Sequence, residues 1–129
     1  MRLRLLLDSH VLIWVAEGKL AQPGRESIEQ AEVVVVSAAT IWEIEIKRAL
    51  GRLSSPAGLI EMIEEAGFGQ LPISFDHSLQ AGRLPLYHRD QFDRMLVAQA
   101  RIEGLTLATA DHFLADYDVS LLAVSREPG

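Results

Sequence analysis

Four acidic residues, Asp8, Glu43, Asp93 and Asp111, stand where apolar runs end or helical stretches begin. Asp8 closes the run at residues 3–7, and Asp111 follows the run LTLAT at 105–109. Glu43 comes shortly after the valines at 33–36, and Asp93 lies three residues beyond Asp90, near the start of a long helical pattern. Carboxylates a few ångströms apart repel by about 4 kcal/mol per close pair at an effective dielectric near 20. A cluster of them persists only if some take up protons or a cation neutralises them. Carboxylate oxygens without clustered His or Cys favour Mg²⁺ or Mn²⁺ over zinc. A magnesium ion held by few carboxylates keeps several waters, and one of these can attack a phosphodiester while the metal offsets charge on the phosphate. The chemistry these residues suit is that of a metal-dependent nuclease.

Bringing them together requires a fold in which strand ends share one rim. Residues 3–7 read as a short strand broken by Arg4, and residues 10–16 as a helix with Val11, Leu12, Trp14 and Val15 on its apolar face. Gly18 and Pro23-Gly24 mark turns before a polar helix at 25–31. The valines at 33–36 suit a strand covered on both faces, ended by Ser37. A helix follows at 40–50, with Thr40-x-x-Glu43 spaced like a capping box. Ser54-Ser55-Pro56 reads as an N-cap with Pro at N1, opening a helix that runs to about residue 66. A strand at 68–73 and a helix at 74–84 precede Pro85. Asp90 then caps a helix carrying Met95, Leu96, Ala98, Ala100 and Ile102, and Gly104 stops it. Strands at 105–109 and 119–124 complete the pattern, and residues 125–129 read as a frayed tail. Alternating strands and helices imply one α/β domain over 1–129, with a central parallel sheet of four to five strands and helices on both faces. Ligand sites in such sheets lie outside the carboxyl ends of the strands, and a helix packed back on the sheet begins at that same edge.

Each acid also has a local explanation. Asp8, Asp90 and Asp111 can cap the helices that follow them, and Glu43 can close the box opened by Thr40. Acids near helix N-termini gain about 0.3–1 kcal/mol from the macrodipole. What sets them apart from ordinary caps is that all four fall on one rim.

The net charge of −6 argues against nucleic-acid binding by bulk charge. Any such role needs a local basic patch, for which Lys47, Arg48, Arg52, Arg89 and Arg94 are the candidates, or a metal. Arg94 has the alternative of pairing with a rim carboxylate. No cysteine is present, which fits a reducing, cytoplasmic setting. No window is long and apolar enough to span a bilayer, and Asp8 and His10 interrupt a start that loosely imitates a signal peptide. His10, His77, His88 and His112 show no metal-ligand spacing, and Trp14 and Trp42 read first as core.

The segments LLLDSHVLIW, SAATIWEIEIKRALGRL, LPISFDHSLQAGRLPLYHRDQFDRMLVAQA and LTLATAD resemble, in order, the PIN-domain ribonucleases, and among them the VapC-type toxins of bacterial toxin–antitoxin pairs. The resemblance spans nearly the whole chain. It implies that Asp8 and Asp93 are metal ligands and that Glu43 and Asp111 complete the acidic site. It places Ser9, Ser37, Thr40 and Thr109 where that family carries supporting hydroxyls, with Asp90 as a cap or outer residue. It further implies Mg²⁺-dependent RNA cleavage, a homodimer, and inhibition by a co-expressed antitoxin covering the acidic groove. Two rivals share the acidic pocket: a receiver-like phospho-accepting module, which needs a late-strand Lys that residues 119–124 lack, and a binding protein that has lost catalysis.

Overall fold

A computed structural model of the chain describes residues 2–54, 57–87 and 89–128. The chain runs β1 (Arg4–Leu7), α1 (Ser9–Glu17), α2 (Gln22–Gln30), β2 (Val33–Ser37), α3 (Ala38–Ala49), α4 (Leu59–Glu65), β3 (Gly69–Leu71), α5 (Phe75–Arg83), α6 (Gln91–Glu103), β4 (Thr106–Thr109), a 3-10 helix at His112–Asp116, and β5 (Leu121–Ala123). The five strands form one sheet in the order β3-β2-β1-β4-β5, with every neighbouring pair parallel.

Side chains alternate across the strands, so each face of the sheet owns every second residue. Leu5, Leu7, Val36 and Ala108 pack with Val11 and Leu12 of α1, Ile44 of α3 and Ile63 of α4. Leu6 and Leu107 pack on the opposite side with Leu96, Val97 and Ala100 of α6 and with Leu114 and Tyr117. Both faces are thus covered, which explains why the strands read as unbroken apolar runs rather than alternating ones.

The connectivity decides where a site can form. From β1 the chain moves outward through β2 to β3, then returns to lay β4 on the other side of β1. Connections on the two sides of β1 therefore leave in opposite directions, and a crevice opens between the ends of β1 and β4. The strands stay paired up to that crevice: Asp8 N–H donates to the Ala108 carbonyl at 3.1 Å.

Several boundaries differ from the sequence expectation for local reasons. The helix after β2 begins at Ala38 because Ser37 is its N-cap, accepting from Ala39 N–H at 3.0 Å. Thr40 therefore lies inside the helix and does not open a capping box. The third strand is cut to three residues by Pro72, which has no N–H to continue the ladder. α4 starts late, from Gly58 at φ 78°; the cap expected at Ser55-Pro56 lies outside the described residues. The carboxyl tail is tied down rather than frayed. Ser125 O accepts from Ala21 N–H, Glu127 N–H donates to Lys19 O, and Arg25 pairs with Glu127 at 3.3 Å. Gly24 permits this closeness, since a Cβ there would lie 2.9 Å from Val124 Cγ1. Trp42, expected in the core, is 54% exposed and meets Phe92 edge to face at 5.2 Å.

Arg94 is the largest correction. It is 8% exposed, and its guanidinium donates to the carbonyls of Ala81, Leu84 and Pro85, each at 2.9 Å. These carbonyls sit at the end of α5, where a helix leaves acceptors unsatisfied and its dipole favours a cation. Tyr117 hydroxyl donates to the same Pro85 carbonyl. Arg94 is consequently a C-terminal cap joining α5 to α6, not a surface cation for RNA phosphates. Arg94→Met should cost about 2–4 kcal/mol in urea unfolding, because buried carbonyls lose their donor. Unchanged stability with weakened RNA binding would restore the surface reading.

Candidate metal centre

A cavity of about 330 Å³ opens at the carboxyl edge of the sheet. Asp8 reaches it from the end of β1, with Ser9, His10 and Trp14 from α1. Glu43 and Lys47 enter from α3, Asp90 and Asp93 from the start of α6, and Ala110 and Asp111 from the turn after β4. The four acids singled out in the sequence therefore line one cavity, although Asp8 and Asp111 lie 103 residues apart in the chain.

Asp8 is 7% exposed and has both oxygens engaged. One accepts from Val11 N–H at 2.9 Å, which makes Asp8 the N-cap of α1. The other accepts from the Thr109 hydroxyl, across the crevice from the end of β4. Thr109 Oγ1 also accepts from Asp111 N–H at 3.0 Å, so this one hydroxyl links the two strand-end acids. Burial raises the Asp8 carboxyl above its ordinary value. The Thr109 and Val11 hydrogen bonds and the His10 charge oppose that rise, and the Glu43 charge adds to it.

Glu43 is 4% exposed and, lying beyond the first turn of α3, has no capping task. Its Oε1 accepts from the Ser9 hydroxyl and its Oε2 from Lys47 Nζ at 2.6 Å. That hydrogen bond holds the Lys47 ammonium above its ordinary pKa, with the charges of Glu43, Asp90 and Asp93 reinforcing it against partial burial. Asp90 is exposed and accepts from Phe92 and Asp93 N–H at 2.9 and 3.0 Å, capping α6. Asp93, on the first turn of that helix, is half-buried. Asp111 caps the 3-10 helix, accepting from Phe113 N–H at 3.0 Å.

The hydroxyls divide by task. Ser9 and Thr109 hold the buried acids, while Ser37 caps α3. Thr40 Oγ1 is buried and has no hydrogen-bond partner among the described residues. Arg48 is exposed and pairs with Glu45 at 3.0 Å. Arg52 and Arg89 are exposed too, and none of these three arginines lines the cavity. Of the histidines, His77 is buried between Ser74 N–H and Glu103, and His88 lies outside the described residues. His10 lines the cavity, which its ligand spacing did not suggest. The signal available was its place two residues after Asp8 at a strand end.

Among the described residues, no three His, Cys, Asp or Glu side chains stand together as a ready-made metal cage. Magnesium does not need one, since it is commonly bound through one or two carboxylates and keeps its remaining waters. The donors are hard oxygens without thiol or clustered imidazole, which suits Mg²⁺ or Mn²⁺. The residues fit such an ion by chemistry and by sharing one cavity.

The sequence model of the PIN domain matches residues 5–120, and the chain belongs to the PIN domain family. No curated protein is matched at a significant level. Among solved structures, the DNA-bound VapBC complex of Salmonella typhimurium aligns with a TM-score of 0.71 and 15% identity, covering 94% of this chain and 98% of that one. A toxin–antitoxin complex from Klebsiella pneumoniae gives 0.69 and 18%, covering 92% and 96%. FitAcB from Neisseria gonorrhoeae gives 0.60 and 21%, covering 92% and 96%. At these identities the likeness concerns the fold.

The raised Asp8 pKa has a stability consequence with a definite sign. The folded chain keeps this proton to a higher pH than the unfolded chain, whose value is near 3.8. Its stabilising contribution is present at low pH and is lost as pH rises from there through the folded value. Once ionised, the buried Asp8 carboxylate weighs against the fold unless a cation is bound. Asp8→Asn removes the charge and keeps the helix cap through its amide oxygen, while its amide N–H donates to Thr109 Oγ1 in place of the present bond. In EDTA at pH 7 it should raise Tm by on the order of a few degrees. A lower Tm in thermal denaturation would contradict the cost assigned to this charge.

Proposed function

We propose that the chain is a divalent-metal-dependent endoribonuclease acting as the toxin of a VapC-type toxin–antitoxin pair. The observation that carries this reading is the convergence of Asp8, Glu43, Asp93 and Asp111 on one cavity at the carboxyl edge of the sheet. Membership of the PIN family supports nuclease chemistry. The likeness to the VapBC and toxin–antitoxin complexes supports a protein antitoxin as partner. A homodimer and a cytoplasmic site of action belong to the same reading. No helix among the described residues is long and apolar enough to cross a membrane.

Asp8 and Asp93 would hold Mg²⁺ or Mn²⁺ most directly, and Glu43 and Asp111 would complete the site through bound waters. When bound, such an ion would supply an activated water and offset charge on the phosphate. The protein's own share is positional. Thr109 and Val11 fix the Asp8 carboxylate, the Ser9 hydroxyl fixes Glu43, and the Asp90 cap sets the helix turn that carries Asp93. Lys47 lies at the cavity, with Arg48 and Arg52 farther along the same segment and Arg89 before α6. These cations are the candidates for holding RNA phosphates or an acidic stretch of antitoxin.

The test is cleavage of single-stranded RNA by the purified protein with Mg²⁺ or Mn²⁺, and its suppression by EDTA. Asp8→Asn and Asp93→Asn should each lower the rate at least about a hundredfold while leaving circular dichroism unchanged. Full activity in either well-folded variant refutes the assignment. A stable acyl phosphate on incubation with a small phosphodonor would point to the receiver-like rival instead.

A further inference from the structure

We propose that Lys47 is a tethered cation that neutralises Glu43 when no divalent ion is bound and competes with the ion for it. This rests on the metal-centre reading above and deepens it. Both Glu43 oxygens are taken, Oε1 by the Ser9 hydroxyl and Oε2 by Lys47 Nζ at 2.6 Å. The two partners differ in what holds them. The Glu43 side chain is 6% exposed and fixed from α1, whereas the Lys47 side chain is 37% exposed and reaches in from solvent. Among the described residues lining the cavity, Lys47 carries the one permanent positive charge, and it shares the cavity with Asp8, Asp90, Asp93 and Asp111 as well as Glu43.

A buried carboxylate stripped of its partner is strongly destabilising. Glu43 therefore needs a cation in every state of the site. The four-carbon lysine stem is flexible, and its ammonium is readily rehydrated on leaving. Lys47 can withdraw along α3 into water as a divalent ion arrives, so Glu43 passes from one cation to the other without standing bare. The exchange keeps the acidic cavity together without metal and makes metal binding weaker than five neighbouring carboxylates alone would give. An ordinary i, i+4 surface pair would have no such effect, because both of its members would be solvated.

The experiment is an isothermal titration of Mn²⁺ into the full-length protein and its variants Lys47→Met, Arg48→Met, Glu43→Gln and the double variant Glu43→Gln/Lys47→Met. Arg48→Met is the control, since it removes the same charge one residue away, from a guanidinium paired with Glu45. Lys47→Met should bind Mn²⁺ about threefold to tenfold more tightly than Arg48→Met, in the lower part of the range for groups in direct contact. The gain should vanish on the Glu43→Gln background, where Glu43→Gln/Lys47→Met should bind Mn²⁺ no more tightly than Glu43→Gln. In EDTA, Lys47→Met should also melt below Arg48→Met, and the double variant should recover that loss. If Lys47→Met does not fold, Lys47→Gln gives the same comparison. Equal or weaker Mn²⁺ affinity in the Lys47 variant overturns this inference alone, provided the wild type binds. Absence of Mn²⁺ binding in every variant overturns the metal-centre reading, and this inference with it.

Discussion

Carboxylates repel one another, and this chain spends much of its architecture holding several of them at one edge of a sheet. All five strands point the same way, so whatever ends a strand ends at that edge. The helices that cross back begin there as well, which adds the first turn of α6 and the early part of α3. Two apolar layers, centred on Leu5 and Leu7 on one face and on Leu6 and Leu107 on the other, supply the burial that outweighs the repulsion. The strand order places β1 and β4 side by side, and the reversal of direction there leaves the crevice into which Asp8 and Asp111 fall.

The protein meets the electrostatic load through hydrogen bonds and helix ends. Asp8, Asp90 and Asp111 each cap a helix, so three of the acids at the cavity sit against the positive ends of backbone dipoles. Capping and membership of a site, which compete as explanations when a sequence is read one segment at a time, coincide in these residues. Glu43 has no helix end to lean on and takes a hydroxyl and an ammonium instead. Its charge is balanced by a side chain that reaches in from solvent.

The other half of the fold shows the opposite use of charge. Arg94 sits next to Asp93 in sequence, yet its side chain is buried against the end of α5, closing carbonyls that the helix leaves open. Helical geometry accounts for this, because adjacent residues point about 100° apart. One faces the cavity while the next faces the neighbouring helix. A residue's charge said nothing about which; its angular position on a helix did.

Much of this was legible in the order of residues. Apolar runs ended by Asp8, Ser37 and Thr109, the Asp90 cap and the Gly104 stop, which adopts φ 67°, give strand–helix alternation from local chemistry alone. Strand direction then follows from the length of the crossovers, and with it the shared edge that gathers Asp8, Glu43, Asp93 and Asp111. What the sequence left open were contacts made between segments. That Thr109 holds Asp8, that Ser9 holds Glu43, that the tail pairs with the α1–α2 connection, and that Arg94 is buried all depend on distances set by packing. The i, i+4 step from Glu43 to Lys47 was visible in one dimension, but its weight was not. Burial of the glutamate gives that ion pair its strength, and only the closing of α1 and α6 around α3 provides the burial.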